Sequence, residues 1–166
     1  MEKVIKSQSG FTLIELVMVI VLVGILSYGA ASLFSSRDGF AGFIAKDQLI
    51  SSALLAQQVA MGMSATSDPV SLTVGVDSNK FWTFTLTKDN SGSPITLDPV
   101  TQDASGGSLV IDGTTMSAST SKTFTWNSLA NIKDGLNHEI RFSGLHTYRV
   151  CLSSSGYAYE SQVACP

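Results

Sequence analysis

"SGFTLIELVMVIVLVGIL", residues 9–26, is apolar at almost every position except one, and the exception is an acid, Glu15. The uncharged run that follows, residues 16–36, reaches ~31 Å as a helix at ~1.5 Å per residue, about the thickness of a bilayer's hydrocarbon. Length and charge together predict a helix able to span a membrane. The run is longer than the apolar core of a cleaved secretory signal, and no small-residue A-x-A-like site follows it. Ahead of it residues 1–10 are short and polar, with Lys3 and Lys6 against Glu2. By the positive-inside tendency that end stays in the cytoplasm and the bulk of the chain is exported.

Glu15 carries a cost. An ionisable group at the centre of a spanning helix is ~2.5–3.5 kcal/mol unfavourable, so it calls for a partner or a function. A plain signal anchor whose Glu snorkels to the interface is the alternative.

Gly10, Phe11, Thr12, Leu13, Ile14, Glu15 and the unbroken apolar stretch behind them resemble the type III signal of type IV pilins and of the pseudopilins of type II secretion. The resemblance covers about the first quarter of the chain. It implies that a membrane-embedded aspartyl prepilin peptidase cuts between Gly10 and Phe11 and methylates the new amino terminus. Methylation keeps the amine's positive charge, so the terminus at Phe11 of one subunit can neutralise Glu15 of a neighbour inside an apolar bundle. Thr12, between them, either helps by hydrogen bonding or is filler. Gly24 matches a family glycine. The family proline some eight residues later is absent, Ser32 standing there, so any break in the helix rests on Gly29 or on Gly39 and Gly42.

Beyond the membrane run the helix is expected to continue through Arg37 to about Met61. Phe43, Ile50, Leu54 and Met61 fall within a narrow stripe at 100° per residue, the pattern of a helix laid on a sheet. Asp47 and Gln57 interrupt the stripe's edges, and Leu49, Leu55 and Val59 sit on other faces. A helix apolar on several sides suits packing on its own domain and on neighbouring subunits, or full burial in one globule. Gly62, Ser64, Ser67 and Pro69 mark its end.

From Val70 the period changes to two. Val70, Leu72, Val74 and Val76 alternate with small or polar residues, Asp77-Ser78-Asn79 reads as a turn, and Trp82, Phe84 and Leu86 alternate with Thr83, Thr85 and Thr87. This predicts a hairpin with one apolar face. Further strands are expected at 108–112, 122–126, 139–143, 148–153 and 157–160, the last two joined at Ser154-Ser155-Gly156. The fold class is therefore α+β: a long amino-terminal helix on an antiparallel sheet, which is the pilin architecture. Its many strands are similar to the GspH-like or FimT-like pseudopilin variant. The expected divisions are a leader at 1–10, a membrane and filament-core helix at 11–36, an amphipathic second half at 37–64 and a β-rich head at 65–166.

Cys151 and Cys165 lie in the part expected outside the inner membrane. An even pair in an oxidising compartment reads as a disulfide ahead of a metal site, and closing such a loop stabilises by ~3 kcal/mol in the chain-entropy model. It would fasten the last residues back onto the strand containing Cys151. By resemblance this loop matches the D-region of pilins.

Catalysis finds little support, and neither a metal nor a cofactor is expected. His138 and His146 stand without a cysteine or carboxylate cluster at ligand spacing, which gives each an ordinary surface or strand-end role. The Ser-rich segments lack a nucleophile elbow, and Gly106-Gly107 is a loop, not a phosphate cradle. Lys133, His138, Arg141, His146 and Arg149 gather basic character, and DNA binding is the rival reading. Alternation, however, puts Glu139 on the face of Arg141, and base-stacking aromatics are thin. Loss of the leader would remove two of the ten basic and one of the thirteen acidic side chains, leaving a net charge of −4. That balance does not favour nucleic acid.

The sequence thus predicts a structural and assembly protein, a minor type IV pilus subunit. "SSRDGFAGFIAKDQLISSALLAQQVAM" further resembles minor pilins of mannose-sensitive haemagglutinin (MSHA) systems, which implies adhesion or surface attachment. The partners implied are other pilin subunits, the prepilin peptidase, an inner-membrane assembly platform and membrane lipid. The subunit would sit in the inner membrane with a periplasmic head before assembly and in the pilus afterwards. The alternatives are a type II secretion pseudopilin and a lone single-pass membrane protein that keeps residues 1–10.

Overall fold

Alternating apolar side chains build the first hairpin of the computed structural model, which describes residues 12–34, 37–63, 69–89, 93–97 and 99–166. β1 (Val70–Val76) pairs antiparallel with β2 (Phe81–Lys88), and Leu72 and Val74 stand opposite Leu86 and Phe84. Asp77 closes the turn, its Oδ1 accepting the backbone N–H groups of Asn79 and Phe81, both at 2.8 Å. Such short side-chain-to-backbone bonds are why Asp favours turns.

The contacts divide the chain into two units, Met1–Ser36 and Arg37–Pro166. In the first, α1 (Leu13–Phe34) is the helix expected from the apolar run. Its side chains from Leu13 to Leu26 are exposed within this chain. Among the described residues no helix is long and apolar enough to cross a membrane; the expected span, 16–36, runs into residues 35–36, outside those described. Gly29 lies inside α1, and Gly39 and Gly42 inside α2 (Arg37–Met61), so none of them interrupts its own helix.

The second unit sets α2 against two antiparallel sheets, where a single sheet was expected. One runs β3 (Ile95–Thr96), β2, β1, β7 (Thr120–Trp126), with β4 (Val100–Asp103) also paired to β2. The other runs β10 (Ala158–Glu160), β9 (Thr147–Leu152), β8 (His138–Ser143), β5 (Ser108–Ile111), β6 (Thr114–Thr115). All five expected later strands form, within a residue or two at each end. β3, β4 and β6 are additional; they span only two to four residues, and alternation cannot show in so short a run. The split into two sheets arises because β7 returns to β1 while β5 pairs with β8, choices between strands of like pattern.

The inner faces meet at aromatic side chains. Phe142 of β8 packs against Trp82 and Phe84 of β2, with centroids 5.0 and 6.0 Å apart. Around them Leu72, Leu109, Ile111, Trp126, Ile140 and Leu152 are fully buried. Trp126 donates Nε1–H to Gly156 O (3.1 Å), and Gly156 at φ +80° has no room for a side chain, since a Cβ would meet Ala130 O at 2.0 Å. This pins the β9–β10 turn onto the residues that follow β7.

The face of α2 that meets the sheets differs from the expected stripe. Ala41, Ala45, Leu49, Ala53, Ala56 and Ala60 are buried, whereas Phe43 is 43% and Met61 59% exposed and Ile50 and Leu54 are half-buried. The cause is size. Alanines at i, i+4 spacing let the helix backbone lie close to the strands, and a Cβ at Gly42 would already approach Tyr148 Cδ2 to 2.9 Å. Buried Lys46 fixes the same seam, its Nζ 2.8 Å from Glu160 Oε2 on β10 and 4.4 Å from the centroid of the Phe43 ring.

Candidate functional site

The residues singled out at the amino terminus fall partly outside the described ones: Gly10 and Phe11 do so, while Thr12 and Glu15 do not. Thr12 precedes the first residue of α1 and Glu15 lies three positions on, the spacing of a capping box. The Thr12 backbone N–H donates to Glu15 Oε2 at 2.9 Å and its hydroxyl donates to the same oxygen at 2.8 Å. The Glu15 N–H in turn donates to Thr12 Oγ1 at 3.3 Å. Thr12 is therefore a helix cap, not filler. The carboxylate is fully exposed within this chain, and among the described residues no cation pairs with it.

The structure brings together the two cysteines, far from that helix in sequence. Cys151, wholly buried on β9, is bonded to Cys165, with Cα atoms 5.6 Å apart. The tail is held further by Cys165 N–H donating to Glu139 Oε2 (3.3 Å) and Asn137 Nδ2 donating to Pro166 O (2.8 Å).

The basic residues of the DNA-binding alternative do not form one free patch. Glu139 lies between two of them, with Oε1 3.1 Å from Arg141 Nε and Oε2 3.0 Å from Arg149 Nε. These are ion pairs in which neither Nε–H makes a straight hydrogen bond. His146 is exposed in the β8–β9 turn near Tyr148, and a cleft of about 440 Å³ beside it is lined by both signs of charge, Arg149 and Glu160.

Of the two expected places, surface or strand end, His138 takes the strand end. It is buried there, 3% exposed, and carboxylates flank it on both sides. Asp134 Oδ2 lies 2.9 Å from Nε2 and Asp112 Oδ2 lies 2.8 Å from Nδ1, while Lys122 pairs with the same Asp112 oxygen. Asp134 was visible four residues upstream; Asp112, 26 residues away, comes in only through the β5–β8 pairing. The carboxyl of Asp112 is held below its ordinary value: burial would raise it, but Lys122, the Glu139 N–H and His138 outweigh that. Among the described residues no group of three or more His, Cys, Asp or Glu side chains is arranged to hold a metal ion.

Comparison with known proteins bears on the amino-terminal residues. No curated protein and no solved structure gives a significant match to the chain. Residues 5–31 match the family profile of the prokaryotic N-terminal methylation motif, a type IV prepilin-like signal. The matched range contains Gly10, Phe11, Thr12, Glu15 and Gly24. This supports a pilin- or pseudopilin-like structural protein, and it implies processing by a prepilin peptidase, membrane anchoring and pilin-type partners.

Proposed function

We propose that this chain is a minor subunit of a type IV pilus, of the MSHA-like kind suited to surface attachment, cut between Gly10 and Phe11 and assembled through α1. The observation that carries the reading is Glu15, an exposed acid capping a helix whose other side chains from Leu13 to Leu26 are all apolar and exposed. In the filament it takes the methylated amine at Phe11 of a neighbour as its counter-charge.

Two features support packing against other copies. A Cβ at Gly24 would meet nothing within 4 Å among the described residues, so the chain's own packing gives no reason for a glycine that costs ~1 kcal/mol in a helix. A small residue there does let a second helix approach closely in an apolar medium. On α2, Phe40, Ile44 and Leu55 remain at least 41% exposed. The disulfide-tied tail then corresponds to the D-region and acts as a structural staple.

The second reading is a type II secretion pseudopilin, a periplasmic piston with the same processing. The strand-rich head, with no helix after α2 among the described residues, favours it by resemblance to the GspH-like variant. Deleting the host's pilus or secretion genes separates the two, since only one deletion should leave this protein unassembled.

The test of the assembly role is Glu15→Gln. Cleavage should stay largely intact while incorporation into filaments is lost; normal incorporation would refute the pairing. Gly10→Leu should block cleavage, and unchanged cleavage would mean that the peptidase cuts elsewhere.

A further inference from the structure

The two sheets are joined by a polar contact as well as by the aromatic core, and that contact is built around His138. The ring faces charge from three other segments: Asp134 in the loop between β7 and β8, Asp112 in the β5–β6 turn and Lys122 on β7. Lys122 Nζ lies 3.5 Å from His138 Nδ1 as well as on Asp112. Phe124, also from β7, packs on the ring at 5.0 Å between centroids. Glu139, the next residue, turns to the opposite face toward Arg141 and Arg149.

Both ring nitrogens can donate only when the imidazole is charged. In that form Nδ1–H serves Asp112 and Nε2–H serves Asp134. A neutral ring has one nitrogen with a bare lone pair, and the two positions are not equivalent. A lone pair on Nε2 would face the Asp134 carboxylate, itself an acceptor, at 2.9 Å. A lone pair on Nδ1 would also face a carboxylate oxygen, Asp112 Oδ2 at 2.8 Å, but there the Lys122 ammonium, 3.5 Å from the same nitrogen, has three donors and can serve Asp112 and the ring together.

We propose that Asp112, Lys122, Asp134 and His138 form a clamp between the sheets that tolerates loss of the ring proton. When the ring is charged, Nδ1 donates to Asp112; when it is neutral, the Lys122 ammonium donates to Nδ1, and Nε2–H stays on Asp134 in both states. The clamp matters because Asp134 sits in the loop that positions the tail. Asn137 in that loop accepts Ser154 N–H at 2.7 Å and donates to Pro166 O, and Ile132 N–H donates to Ser154 O at 2.9 Å. Loop, β9–β10 turn and disulfide-tied tail therefore keep one arrangement with the ring charged or neutral.

The test follows the full chain in detergent micelles. Melting temperatures of the unmodified protein, Lys122→Met and Lys122→Met/His138→Gln are measured from about pH 5 to about pH 8, the range in which histidine changes charge. Lys122→Met should sit below the unmodified protein throughout, and the gap should widen by ~3 °C or more toward the alkaline end. The double variant should lose that widening. A gap that stays constant for Lys122→Met would overturn the proposal. Nitrogen chemical shifts of the His138 ring in the unmodified protein decide the matter even if the variants fail to fold: the neutral ring should be the Nε2–H tautomer, and the Nδ1–H tautomer would contradict the clamp.

Discussion

α1 and α2 are both rich in large apolar residues, and they place them in opposite ways. α2 turns alanines and Leu49 to the sheets and leaves Phe40, Ile44 and Leu55 outside. α1 exposes every described large apolar residue, from 40% at Val17 to 80% at Leu13. One face of α2 is thus accounted for by its own domain, while its outer face and α1 from Leu13 to Leu26 need lipid or another protein surface to cover them. The difference separates two jobs that share one kind of side chain: holding the head together, and joining the chain to something else.

The sharpest way to break this contrast is to shorten one leucine in each helix. Leu49→Ala, at a position 2% exposed, should cost ~2–5 kcal/mol of head stability. Leu22→Ala in α1, at 57% exposed, should leave the head within ~0.5 kcal/mol of the unmodified protein. Denaturant unfolding of the full chain in detergent measures both, and equal losses would erase the distinction. Next in size is the staple: Cys151→Ser/Cys165→Ser should destabilise the head by ~3 kcal/mol and leave amino-terminal processing unchanged, as read by mass.

Within α2 two adjacent positions should behave oppositely. Ala56→Leu forces a larger side chain into a site with no exposure and should cost ~1–3 kcal/mol. Leu55→Ser, on the outer face, should change head stability by no more than ~0.5 kcal/mol while lowering filament incorporation. A stable Ala56→Leu variant would mean that the helix does not lie close to the strands.

The smallest effects are those of pH on two ion pairs. The hydrogen bond that Lys46 donates to Glu160 holds the lysine above its ordinary value, burial opposes this, and Asp47 adds to it. That stabilisation is present in full below about pH 10.5 and is lost as pH rises through the folded-state value, so Glu160→Gln should flatten the alkaline limb of the melting profile. Asp112, held low, works in the other direction: its contribution is present above about pH 3.9 and is lost as pH falls through its folded value. Asp112→Asn should flatten the acid limb; unchanged limbs would show that neither pair is coupled to folding.

What the sequence made legible follows from how local each signal is. The β1–β2 hairpin could be read because alternation and an Asp-led turn lie within a score of residues. The prepilin-like segment could be read because its glycine, acid and apolar run are contiguous. The inner face of α2 was misread because bulk was taken for burial, whereas alanines set the distance between helix and sheet. The surroundings of His138 were only half visible, since Asp134 is four residues away in the chain but Asp112 arrives through the β5–β8 pairing and Lys122 from the facing sheet. Division into two sheets was hidden for the same reason.

The most direct measurement is the intact mass and amino-terminal sequence of the protein taken from its native host's membranes. The account predicts a chain that begins at methylated Phe11, with Glu15 as its fifth residue. A chain that still begins at Met1 in cells with an active prepilin peptidase would contradict it and leave the segment an ordinary anchor.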